Sequence, residues 1–144
     1  MNMILWDRRG YSTTWVAGYL AFVALPLLAL ALGVGRWAIA AAEVQEAADL
    51  AALAAVRDID VRTFERTGNV VFSPMVYARA AAYANMNTSY LASRHIQVQV
   101  TGISAGGRMV TVRCSADVSP IFPEFLPRLV ITREGTAEIR MRVR

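Results

Sequence analysis

From Tyr11 to Gly35 the chain reads YSTTWVAGYLAFVALPLLALALGVG, without one charged residue. Such a run exceeds the roughly 20 residues needed to cross a ~30 Å hydrocarbon core. It is also longer than the roughly 7–15-residue apolar core of a cleaved secretory signal. The sequence therefore predicts a transmembrane helix over 11–35. Trp15 and Tyr19 near one end and Trp37 just past the other suit the two headgroup layers. Hydrophobic residues make up 56% of the 144, and this run holds most of the excess. The expected plan is a short leader over 1–10, a span over 11–35 and a folded domain over 36–144. Arg8 and Arg9 precede the span, partly offset by Asp7, whereas Arg36 is followed by Glu43, Glu46 and Asp49. The positive-inside bias then puts the N-terminus in the cytoplasm and the domain outside.

Beyond Gly35 there is no proline or glycine up to Arg57, and alanine and leucine, the best helix formers, dominate. The membrane helix is expected to continue outward as one rod. Pro26 removes one backbone hydrogen bond and is expected to kink or loosen it; Gly33 and Gly35 add flexibility near the outer end. Val44, Ala48, Ala51 and Ala55 form a stripe of small side chains. That stripe packs on the chain's own domain, the reading we favour, or on a neighbouring subunit. Glu43, Glu46 and Asp49 share a flank and read as a solvated face.

The segment from Asp58 to Phe72 reads as polar and irregular, with a turn at Gly68-Asn69. Ser73-Pro74 then opens a second helix, Met75 to about Asn85, with serine as N-cap. After it the period changes to that of strands. Ile96, Val98 and Val100 alternate with Gln97 and Gln99. Ser104 to Gly107 is a turn. Val110, Val112, Cys114, Ala116 and Val118 share one face of the next strand. In the last stretch Leu129, Ile131, Ala137, Ile139, Met141 and Val143 share a parity that Arg133 interrupts, and Gly135 reads as a bulge. Pro120, Pro123 and Pro127 make the intervening SPIFPEFLPR a loop; its apolar residues either cover the core or form a docking surface. The expected fold is α+β: a long N-terminal helix and a short second helix on a three-stranded antiparallel sheet. Leu50 and Val112 are expected in its core, so that an aspartate at either position unfolds the outer domain.

Few residues invite chemistry. His95 is the one histidine and reads as a surface or hydrogen-bonded residue rather than a ligand. Cys114 is the one cysteine, which excludes an intramolecular disulfide, and its parity makes it an inert core thiol. No Cys/His cluster suggests a metal and no glycine-rich loop a phosphate. We expect no catalytic residue, no cofactor and no small-molecule substrate. The net charge is +4, with Arg128, Arg133, Arg140, Arg142 and Arg144 near the C-terminus. On a domain facing outward these read as a solvated sheet face, or as a contact for acidic lipid or an acidic partner, and no nucleic acid is expected.

Arg8-Arg9-Gly10, a hydrophobic helix, an arginine and then EVQEAADLAALAAV at Glu43–Val56 make a recognisable series. It resembles the TadE/TadG-like pilus-assembly family, the minor pilins or pseudopilins of tight-adherence (Flp, type IVc) systems. Gln45, Ala47, Ala48, Asp49, Ala51, Ala52 and Leu53 lie in a stretch similar to that family's Q-x-A-A-D-x-A-A-L-A signature. The resemblance implies a pilin-like fold, whose alanine-rich helix is the outer half of an assembly rod. It also implies a bacterial inner-membrane location with a periplasmic or extracellular domain, partnership with other pilin-like subunits, and no enzymatic activity. Processed members are cut by a prepilin peptidase after a glycine, and the matching junction here is Gly10–Tyr11. Such members carry a glutamate at the fifth position after the cut; here that position is Trp15. Two fates stay open: cleavage and entry into a filament, or retention as an uncut single-span assembly component. The alternatives to the family reading are a signal-anchored binding domain unrelated to pili and an exported soluble protein. Against the last, an Ala-x-Ala site near Ala40–Ala42 would fall inside the signature helix.

Overall fold

A computed structural model describes residues 8–120 and 127–140, with side chains from Thr13 onward. Helix α1 runs from Arg8 to Arg57 as one 50-residue element and passes through Pro26 without interruption. At 1.5 Å per residue it is about 75 Å long. In its outer half Ala40, Val44, Ala47, Ala48, Ala51, Ala52 and Ala55 are buried, a three-and-four spacing that makes one helical face. The opposite stripe of Ala42, Glu46, Asp49, Leu53 and Arg57 is exposed.

That buried face rests on a three-stranded antiparallel sheet of β1 (Gln99–Gly106), β2 (Met109–Val118) and β3 (Leu129–Glu138), in the order β1-β2-β3. The central strand alternates as its sequence predicts, with Val110, Val112, Cys114, Ala116 and Val118 all turned into the core. Gly107, at φ 61°, takes the left-handed conformation that the β1–β2 turn requires. The bulge expected at Gly135 is absent: β2 and β3 pair without a break from Met109–Glu138 to Val118–Leu129. The register shifts instead in β1, between Val100 and Gly102. Two other expectations move. Strand β1 begins at Gln99 rather than Ile96, and Leu50 is half buried while Val112 is fully so.

Among the described residues three short helices complete the domain. The stretch expected to be irregular holds α2 (Val61–Thr67). Asp60 caps it, its Oδ1 accepting the N–H groups of Arg62 and Thr63, and Gly68 closes it at φ 70°. Phe64 on α2 is buried, and an Ile59–Phe72 bridge ties off the segment. Helix α3 spans Val76–Ala84, one residue shorter at each end than its sequence suggests. Its N-cap is Met75, without a side-chain cap bond, and not the expected Ser73, whose hydroxyl accepts the Met75 N–H at 3.3 Å just before the helix. Val76, Ala80 and Ala84 face α1 and the core, and buried Asp58 pairs with Arg79. Helix α4 is a single turn, Ser89–Ala92. Between α3 and β1 the Asn85 side chain bonds both backbone groups of Val98, at 3.0 and 3.1 Å, which fixes where the chain enters the sheet. Ile121, Phe122, Phe125 and Leu126 of the proline-rich loop, and Met141 to Arg144, lie outside the described residues.

Candidate functional site

The inner half of α1 is apolar and almost none of it is covered. Trp15, Tyr19 and Phe22 are 66%, 70% and 77% exposed, and Leu25, Leu27, Leu28 and Leu32 are also open. The helix is long and apolar enough to cross a membrane, and it is not the buried core helix of a globular fold. Thr14, Trp15, Gly18, Tyr19 and Phe22 line a shallow apolar groove on its side. A continuous apolar surface of this kind marks contact with lipid or with other proteins. The Gly10–Tyr11 bond lies in the first turns of α1; the side chains there are outside the described residues.

The alanine-rich outer half docks the chain's own sheet, and most of the signature residues take part in that contact. Gln45 donates from Nε2 to the Glu134 carbonyl at 3.0 Å and to Asp49 Oδ1 at 3.2 Å. The neighbouring Gly135 lies directly against α1: a Cβ added there would sit 2.2 Å from the carbonyl carbon and oxygen of Ala48. Ala47, Ala51 and Ala52 fill the space on either side of this contact. Leu53, by contrast, is 56% exposed. Gln45 thus takes up a carbonyl on the outer edge of the sheet, Asp49 orients the glutamine amide, and the alanines let helix and strand come together.

The acids of α1 do more than face solvent. Glu43 accepts the Tyr90 and Leu91 N–H groups, each at 2.9 Å, one on each carboxylate oxygen. These are first-turn donors of α4 that have no partner inside the helix. Glu46 accepts from Asn87 at 3.3 Å. Arg36 donates from Nε to the Tyr90 hydroxyl at 3.1 Å, and the Arg94 guanidinium stands over the same ring. The segment 87–94 is thereby strapped along α1 just beyond the apolar run. Sequence reasoning missed this strap because a one-turn helix has no period to detect.

Cys114 has no exposed surface, and burial pushes its thiol up to about 11. His95 is exposed, in a left-handed backbone conformation at φ 58°. Among the described residues no three His, Cys, Asp or Glu side chains are grouped to hold a metal ion. The arrangement offers surfaces for association and a buried, inert thiol.

No curated protein matches the chain, and neither does any solved structure. A family model described as "Putative Flp pilus-assembly TadE/G-like" matches residues 10–58. The match begins at the Gly10 of the candidate junction, covers the apolar run and the signature, and ends at the last turn of α1. It takes in about a third of the chain and leaves the sheet outside. Over residues 10–58 the chain is similar to the TadE/G-like family, whose description is putative Flp pilus assembly.

Proposed function

We propose that the protein is a structural or assembly component of a tight-adherence pilus or a related secretion apparatus, minor pilin- or pseudopilin-like and without enzymatic activity. Its N-terminus lies in the cytoplasm, α1 spans the bacterial inner membrane once over 11–35, and the α+β domain stands on the outer side. The observation that carries this is the division of α1. One half is apolar and bare; the other, continuous with it, carries the family signature and is used up in docking the chain's own sheet. The bare half, with the exposed Ala42–Arg57 stripe, is what remains for lipid and for other subunits.

Trp15 supports the uncut form. A filament-borne pilin would bury its new N-terminal amine, and no acid lies between Tyr11 and Gly35 to meet it. The intact mass of protein purified from its native membrane, with prepilin peptidase present, decides between the fates. Loss of Met1 to Gly10 places it in the pilin pathway. Full length makes it a permanent single-span component. A chain starting near Ala42 and absent from membranes overturns the proposal in favour of a secreted protein.

A further inference from the structure

Arg36 is the first residue past the uncharged run, and its Nε bonds the Tyr90 hydroxyl. The Arg94 guanidinium lies 5.0 Å from the centroid of the same tyrosine ring. One aromatic side chain thus gathers two cations, one from α1 and one from just past α4. Their level along α1 is fixed. Glu43 holds the Tyr90 backbone N–H, while the Tyr90 hydroxyl reaches back to Arg36. That is seven residues along the helix, about 10 Å, so the ring points toward the end of the apolar run. His95 follows on the same segment, exposed.

Among the described residues neither cation has an ion-pair partner: the ion pairs are Arg79–Asp58, Arg113–Glu134 and Arg140–Glu138, and none includes Arg36 or Arg94. Glu43, the acid closest along this chain of contacts, already accepts two backbone N–H groups. Guanidinium forks match phosphate oxygens, and a tyrosine with an apolar ring and a polar tip suits the membrane–water interface. We propose that Arg36, Tyr90 and Arg94 form a clamp for the phosphate of an anionic phospholipid in the leaflet nearest the domain. The clamp rests on the single-span reading of α1. It would fix the tilt and rotation of the outer domain on the membrane, because Tyr90 is tied to α1 by its side chain and by its backbone.

The full chain reconstituted into phosphatidylcholine bilayers with and without phosphatidylglycerol tests this. Retained lipid is read by native mass spectrometry, and hydrogen exchange is followed over residues 89–96. The expected result is selective retention of phosphatidylglycerol, favoured about five-fold per arginine at the surface, with slower exchange in 89–96 only in the anionic bilayer. Arg94→Gln, an exposed position, should cut that preference about five-fold while thermal unfolding of the domain is unchanged. Incorporation into both bilayers with no lipid preference, or a preference that Arg94→Gln leaves intact, overturns the clamp and spares the span. Protection that follows protein density rather than lipid charge overturns it in favour of an acidic surface on a second copy. Failure to co-float with either bilayer overturns the span and the clamp together.

Discussion

Gly135 on β3 lies against the backbone of Ala48 on α1, so close that a Cβ there would fall 2.2 Å from the Ala48 carbonyl and 2.5 Å from the Asp49 nitrogen. The obstructing atoms are helix backbone, which cannot rotate aside. Glycine inside a strand is ordinarily unfavourable and signals a close approach of another backbone. Gly135→Ala must therefore push strand and helix apart, breaking the Gln45–Glu134 bond beside it. We expect a loss of about 1–3 kcal/mol, the usual range for overpacking, and more for Gly135→Val. Denaturant unfolding of the detergent-solubilised chain measures it; unchanged midpoints would refute the packing.

Val112 sits at the centre of the middle strand with no exposed surface, so Val112→Asp would bury a charge without a partner. The cost exceeds the roughly 4–5 kcal/mol that marks the far tail of point mutations, and the outer domain should lose its protease resistance. Leu50, half buried, is a weaker probe than its sequence suggests. Leu53 is the informative contrast. At 56% exposed, Leu53→Asp should change stability by no more than about 0.5 kcal/mol. Any assembly defect in that variant would then report on the outward stripe and not on folding.

Glu43 makes the shortest contacts of the strap over α1. Removing its carboxylate with Glu43→Ala leaves two first-turn N–H groups of α4 unpaired. Hydrogen bonds to a charged group contribute about 1.5–3 kcal/mol, and the loss should appear locally. Hydrogen exchange at Tyr90 and Leu91 is expected to speed up while β2 stays protected. Glu46→Ala, which loses one 3.3 Å bond at the surface, should do little.

Long, strongly periodic elements were legible in the sequence. The uncharged run, the alanine face of α1 and the alternation of β2 each repeat one signal over many residues, and each is present as expected. Elements that depend on one or two residues were not. Helix α2 was hidden because Arg62, Glu65, Arg66 and Thr67 leave its surface polar, although Asp60 and Gly68 are cap signals at the right separation. Gly135 was read as a bulge because a lone strand glycine has two physical causes, and only the third dimension tells them apart. Its inward parity, opposite a run of alanines, was the available clue. Glu43 looked like one of three solvated acids because spacing along a helix cannot reveal a distant turn that needs capping. For the site, the part Gln45 plays in the fold was not legible, since it acts on a carbonyl far along the chain.

Cys114 offers a test of the core that leaves the fold untouched. Burial raises its thiol from 9.0 to about 11, so the folded protein keeps the proton where the unfolded chain has lost it. Above the unfolded value the unfolded state binds fewer protons, and stability must fall as pH rises. This loss is confined to the interval between about 9 and about 11. The Cys114→Ala variant should lack that component of the slope, even though its cavity lowers stability at every pH. At neutral pH the same burial makes the native thiol inert, since the thiolate is the nucleophile. A maleimide reagent should label Cys114 only as the outer domain unfolds, at the rate of unfolding. Rapid labelling of the native protein would mean that the α1 face and the β2 face are not in contact.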